Sequence, residues 1–384
     1  MKISKPLRDE IIFILKKLVQ LPTENPPGIT ESVVKFFILD VFKEEHGFQN
    51  QVVIIKKNGI ELHNLVSTIG NGKKRIVFSG HFDVVPTGDP TQWEYPPFSA
   101  NINNGRLYGR GSADMKGGIA CLIGVIKILS KIPHFLEKYT LVFIGTADEE
   151  AGMSGSFALS KQGVMNDSII LIIAEPTNLK IGISEKGLLW VKLKIIGKSA
   201  HGSTPCKGIN AIEGALKLIP QLYDCLEENS NDILGKSTLN IGKISGGTAI
   251  NIVPDQVILD LDYRVIPEQD HNSLIDNLKN LKKHNFSIDI EIINKLSALQ
   301  TDITHPFIQN LKKISKSEVL GLSYATDAAN LINVNNPIPF VIFGPGDPSN
   351  IHKIDEFIEL EQIFQAMEFL INALLQTYSK EKER

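Results

Sequence analysis

The stretch "VFSGHFDVVP" (77–86) carries an apolar run straight into His81 and Asp83. One residue apart, these two side chains leave an extended chain on the same side. Two further apolar runs end in similar chemistry. "YTLVFIGT" (139–146) runs into "ADEE", with Asp148, Glu149 and Glu150, and "SIILIIAE" (168–175) ends on Glu175. Asp114 stands in "GRGSADMKGG" just ahead of a helical pattern, and His352 in "IHKIDEF". Taken singly, each has an ordinary explanation. Acids at strand ends cap helices, Asp114 could cap the helix that begins near Gly117, and a lone histidine is commonly a surface or core residue. Taken together, four separate termini would have to crowd unpaired carboxylates at one sheet edge, where they repel unless a cation neutralises them. Two histidines and several carboxylates, without cysteine, suit a hydrolytic zinc, manganese or cobalt centre. "GRGSADMKGG" is a poor phosphate loop, being neither GxGxxG nor ended by GK[ST].

Such side chains need a scaffold. At 384 residues the chain exceeds a typical single core, so two domains or one domain with a large insertion is expected. The runs at 75–80, 139–146, 168–175 and 338–346 are continuously apolar, as in strands covered on both faces; "GGIACLIGVIKILSKI" (117–132) and "GSFALSKQG" (155–163) have helical spacing. This is α/β: a mixed sheet flanked by helices, with ligands beyond the carboxyl ends of its strands. The middle differs. "LLWVKLKIIG" (188–197), "QVILDLDYRV" (256–265) and "FSIDIEII" (286–293) alternate, and helical patterns lie at 210–228 and 271–284. The order β-α-β-β-α-β predicts an inserted ferredoxin-like α+β domain over 181–294, between catalytic segments 1–180 and 295–384.

Composition narrows the function classes. A formal net charge of -3 and no basic stripe argue against nucleic acid. No apolar run is long enough for a membrane span. The start, "MKISKPLRDEIIFILKKL", lacks signal-peptide features and reads as an amphipathic helix with Leu7, Ile11, Ile14, Leu15 and Leu18 on one face. Three cysteines, Cys121, Cys206 and Cys225, suggest reduced thiols in a cytoplasmic protein. The tail "SKEKER" is expected to fray.

"GHFDVVP", "GRGSADMKGG", "TADEEAG", "AEPT", "SAHGSTP" and a late "GPG…H" resemble, in order, the motifs of the dinuclear-metal amidohydrolases that include succinyl-diaminopimelate desuccinylase, acetylornithine deacetylase, aminoacylase and glutamate carboxypeptidase. The resemblance implies a zinc-peptidase-like catalytic domain and two divalent ions, zinc first, with cobalt or manganese as alternatives. It implies that His81 and Glu175 bind one ion, Glu150 and His352 the other, and that Asp114 bridges them. Asp83 would hold the far nitrogen of His81. Glu149 would be general base for a metal-activated water attacking the amide of a small-molecule N-acyl amino acid. The Asp114–Met115 peptide bond would be cis. The insertion would make a homodimer, and His201 would reach the partner's site as an oxyanion donor. Arg264 would clamp a substrate carboxylate, in competition with an ordinary cross-strand ion pair to Asp260 or Asp262, and Asn251 would contact substrate.

The substrate is less sharply marked. N-succinyl-diaminopimelate is the first choice, with an acetylornithine-type or general N-acyl-amino-acid deacetylase and a dipeptidase or carboxypeptidase as alternatives. "EKGLLW" and "YATDAANL" stand where desuccinylases usually carry an arginine-rich stretch and "SDGRF". A catalytically silent dimeric binding protein is the alternative of another class; its mark would be a lost base or ligand, and every such position is filled.

Overall fold

A computed structural model describes residues 2–283 and 285–379. Residues 380–384, most of the tail expected to fray, lie outside the described residues.

The apolar run that ends in His81 forms the strand Lys74–His81, whose last six residues are all buried. It pairs in parallel with Tyr139–Thr146 on one side and Ser168–Ile173 on the other. Phe340–Ile342 extends this parallel block beside Ser168–Ile173, and Ile181–Glu185 follows antiparallel. On the opposite flank Tyr139–Thr146 pairs antiparallel with Ile60–Ile69, which turns back on Gln49–Lys57. The sheet is therefore mixed. Three of its four adjacent parallel strands end side by side at the acidic motifs, with His81 in register with Thr146, so the residues just beyond them converge.

Burial on both faces explains the unbroken apolar runs. The helix Gly117–Leu129 is buried over nearly its whole surface, and the helices Lys5–Gln20 and Leu360–Tyr378 pack on it. Lys5–Gln20 buries Ile11, Ile14, Leu15 and Leu18 of the stripe that its spacing indicates, while Leu7 is only half-buried. Gly118 is needed there: a Cβ would stand 1.9 Å from the carbonyl oxygen of Ala174. That close approach seats the helix against the strand end that carries Glu175.

The Gln49–Lys57/Ile60–Ile69 hairpin is absent from the sequence reading, although its signal is local. Asn58 and Gly59 both take positive φ, 52° and 80°, as a two-residue hairpin turn requires. No helix among the described residues is long and apolar enough to cross a membrane.

The described residues fall into two compact units, the first built from the chain up to Ile183, Thr301–Leu320 and the chain from Thr326 on. The second comprises Ser184–Gln300 with Gly321–Ala325. It holds a four-stranded antiparallel sheet in the order Thr238–Gly246, Gln256–Val265, Gly187–Ile196, Ser287–Leu296. With the helices Ala211–Tyr223 and His271–Lys279 this is the ferredoxin-like order. Leu189, Val191, Leu193 and Ile195 meet Val257, Leu259, Leu261 and Tyr263 in its core. Thr238–Gly246 is an edge strand, mostly exposed and bulged between Ile241 and Lys243. Its glycines and exposure blur the alternation that marks its neighbours.

Candidate metal centre

Three strand ends and two loops bring seven residues to the edge of the mixed sheet. His81 closes its strand and is buried. Its Nε2 lies 3.2 Å from Asp114 Oδ1 and 3.7 Å from Glu175 Oε1. The second oxygen of Asp114 lies 3.1 Å from His352 Nε2, which is 3.2 Å from Glu150 Oε1. Asp114 therefore presents one oxygen to each histidine, and each histidine has a second carboxylate of its own.

These spacings match a donor set around cations. At zinc–ligand bonds near 2.0 Å, tetrahedral donors stand about 3.3 Å apart. Donor atoms of His81, Asp114 and Glu150 also lie within 4.8 Å of one another. The donor set thus suits divalent cations.

The electrostatics express the same crowding. Burial opposes a proton on His81, yet Glu175 and Asp114 outweigh it and hold the imidazole well above its ordinary pKa. Hydrogen bonds that the His352 ring donates to Asp114 and Glu150 push it up to about 10. Burial raises Asp114, but the two histidines more than reverse this and its carboxyl sits below the usual range. Glu149 and Glu175 are held well above the ordinary range, first by burial and then by neighbouring carboxylates, with His81 pulling them down. Burial also raises Glu150. Without a cation the cluster keeps protons to offset its charge.

Asp114 is not a helix cap. Lys116 holds the N-cap position of the helix, whose first residue is Gly117. The Asp114–Met115 bond is cis. Gly344 of "GPG" comes so close to the Glu175 loop that a Cβ would meet the carbonyl oxygens of Ala174 and Glu175 at 2.5 Å.

Asp83 departs from its expected contact. His81 Nδ1 lies 2.9 Å from the backbone carbonyl oxygen of Asp83 and 3.9 Å from its carboxylate. The carboxylate is engaged elsewhere. It accepts the backbone N–H of Glu149 at 3.2 Å and of Glu150 at 3.1 Å, and the amide of Asn25 at 2.8 Å. Asp83 thus grips the turn that carries both glutamates, while the same residue's carbonyl orients His81.

Several contributors escaped the sequence reading. The Asn25 amide also donates to Asp148, which is paired with Lys57 at 2.7 Å. Arg110 and Glu356 form a buried ion pair at 2.8 Å, and Glu356 accepts the backbone N–H of Ala113 and Asp114. Both stand inside motifs read only for Asp114 and His352. Nothing local marks their pairing, since 246 positions separate them.

His201, Asn251 and Arg264 belong to the other unit. His201 is exposed, and the Ser203 N–H donates to its Nδ1 at 3.1 Å. The neutral ring therefore carries its proton on Nε2. Gly202 N–H bonds the Asn251 carbonyl at 2.7 Å, so the two loops run together. Arg264 pairs with Asp262 at 2.9 Å along its own strand. The expected ion pair exists, but within one strand and not across two. Residues two apart share a face, and Trp190 Nε1 holds the same carboxylate at 3.0 Å from the neighbouring strand. Cys121 and Cys225 are buried and Cys206 is exposed, all three as free thiols.

Comparison with known proteins agrees with this geometry. The profile of peptidase family M20/M25/M40 matches residues 77–376. A Staphylococcus aureus protein named "Probable succinyl-diaminopimelate desuccinylase" is 31% identical, over 97% of this chain and 98% of its own length. An acetylornithine deacetylase from Photorhabdus laumondii is 29% identical, over 92% and 93%. The fold matches an M20 family metallo-carboxypeptidase from Sulfolobus solfataricus with a TM-score of 0.75 at 20% identity, over 95% and 98% of the two chains. With motif order, sheet topology and the shared aspartate in agreement, this chain belongs to peptidase family M20/M25/M40 and is a metallohydrolase acting on amides.

Proposed function

We propose that this enzyme hydrolyses the amide of an N-acyl amino acid, with N-succinyl-diaminopimelate as first substrate. The observation that carries the reading is Asp114 shared between two histidines, with Glu149 on the turn beside them. His81 and Glu175 would hold one divalent ion, Glu150 and His352 the other, and Asp114 both; zinc is the first choice, cobalt or manganese the alternatives. When bound, the ions supply Lewis acidity and lower the pKa of water. Glu149 takes a proton from the attacking water and delivers it to the leaving nitrogen. The C–N bond breaks, the acyl carbon keeps the water oxygen, and a carboxylate and an amine leave. Burial favours the protonated form of Glu149, the direction that holding a proton between the two steps requires.

The succinyl choice is supported by the name of the Staphylococcus aureus relative. A second reading, acetyl-group removal, is favoured by the Photorhabdus relative at nearly equal identity. The second unit is read as a dimerisation domain. Its surface exposes Leu216, Tyr223 and Ile244, apolar area suited to a second copy of the chain. His201 would then donate its Nε2–H to the developing oxyanion of the partner's site, with Arg264 and Asn251 contacting substrate carboxylate and amide. Free thiols support a cytoplasmic setting.

The test is a deacylation screen on metal-loaded protein: N-succinyl-diaminopimelate, N-acetylornithine, other N-acetyl amino acids and dipeptides, with Glu149→Ala as blank. A succinyl preference supports the first reading and an acetyl preference the second. Silence across the panel with ions bound would remove both. Mixing His201→Ala with Glu149→Ala subunits tests the donor: restored activity requires donation between subunits, and none rejects it.

A further inference from the structure

The Arg110–Glu356 pair is buried, with Arg110 3% exposed and Glu356 fully enclosed. It touches three loops at once. One Glu356 oxygen accepts the backbone N–H of Ala113 at 2.9 Å and of Asp114 at 3.2 Å. The other accepts from Arg110 Nη1 at 2.8 Å. The same nitrogen donates to the carbonyl of Lys353, the neighbour of His352, at 3.1 Å. Nη2 donates to the carbonyl of Pro86 at 3.3 Å, on the segment leaving His81 and Asp83. Trp93 lies under the guanidinium, 5.1 Å from its centre.

Burying two charges is costly, and an apolar pair of similar shape commonly braces a core as well or better. The ionic pair offers what an apolar pair lacks. A guanidinium is a planar fork with several fixed donors, able to set three backbone segments against one another. Those segments carry His81, Asp114 and His352, which have no covalent reason to keep a common spacing.

We propose that Arg110 and Glu356 are positioning residues that set the separation of His81, Asp114 and His352, and through it the affinity and geometry of the metal centre. The inference rests on the two-ion reading above. It concerns residues that need not touch ion or substrate.

The experiment uses full-length protein loaded with cobalt(II), followed by chelator competition and by the visible ligand-field bands. Wild type is measured first; uptake of fewer than two ions would bring down the two-ion reading itself, a failure seen without any variant. With wild type loaded, Glu356→Gln keeps an oxygen for the two amides but loses the charge facing Arg110. It is expected to weaken ion binding about 10–100-fold and to shift the cobalt bands. Arg110→Lys, which keeps the charge but not the fork, should fall between wild type and Arg110→Met. The double variant Arg110→Met/Glu356→Met should be no worse than the poorer single one, because the two act as a unit. Unchanged affinity and unchanged bands, with only a lower thermal midpoint, would overturn the proposal and leave a plain structural brace.

Discussion

His352 Nε2 stands 3.2 Å from Glu150 Oε1, although 202 positions separate the two residues in the chain. One follows a parallel strand; the other lies in a late loop with its backbone at a positive φ of 60°. Their meeting is a property of the sheet edge, and it determines what the site does with protons.

Metal uptake should release protons. His352 is pushed up to about 10 by Asp114 and Glu150, and Glu175 and Asp114 hold His81 well above its ordinary value, against the effect of burial. Both shifts favour the protonated ring when no cation is bound, and each ring must be free of its proton to become a ligand. Calorimetric titration with zinc in buffers of different ionisation enthalpy should show net proton release on binding. A buffer-independent enthalpy would contradict this.

Glu149→Gln should separate chemistry from binding. The amide cannot take the proton, so kcat should fall on the order of 10²- to 10⁴-fold. Ion affinity should stay close to wild type, since Glu149 takes no part in the four carboxylate–imidazole contacts that join His81, Asp114, Glu150, Glu175 and His352. Single-turnover assays and chelator competition on the same preparation check both halves.

Asp83→Asn should loosen the glutamate turn. Its carboxylate accepts three N–H groups, from Asn25, Glu149 and Glu150. An asparagine would present an NH₂ to at least one of these donors, leaving it unsatisfied at a cost of about 1–3 kcal/mol. Urea denaturation of the metal-free protein should show that loss. Turnover should drop too, because Glu149 and Glu150 ride on the turn.

The second unit carries a pH dependence of its own. His271 is held below its ordinary 6.5, chiefly by burial, with its Nε2 at 3.1 Å from the Leu188 carbonyl. The fold prefers the neutral ring. Its contribution is fully present above 6.5, the unfolded value, and is lost as pH falls through the lower folded pKa. Comparing wild type with His271→Gln isolates the effect: the urea midpoint of wild type should fall more steeply on the acid side of 6.5. Parallel curves would reject it.

Much of this architecture is written in local pattern. Alternation at 256–265 tells which side chains of that strand face the core, because a strand's period is two. Continuous apolar runs at 139–146 and 168–173 tell that both faces are covered. The chemistry-bearing residues stand at the ends of those runs, so their presence at one sheet edge follows from topology that the pattern already suggests. The hairpin turn at Asn58–Gly59 is equally local, a two-residue signal between two strands.

Pairing over distance was not legible. Residue types and motif order by themselves determined the family, the fold class and the candidate ligands of this protein. Only the tertiary structure decided that the Asp83 carboxylate holds the Glu149–Glu150 turn while its carbonyl holds His81, that Arg264 pairs with Asp262, and that Arg110 reaches Glu356. The reason is physical. Strand and helix periodicity act over a few residues of chain, whereas a hydrogen bond or a shared cation acts over about three ångströms of space and is indifferent to how much chain lies between.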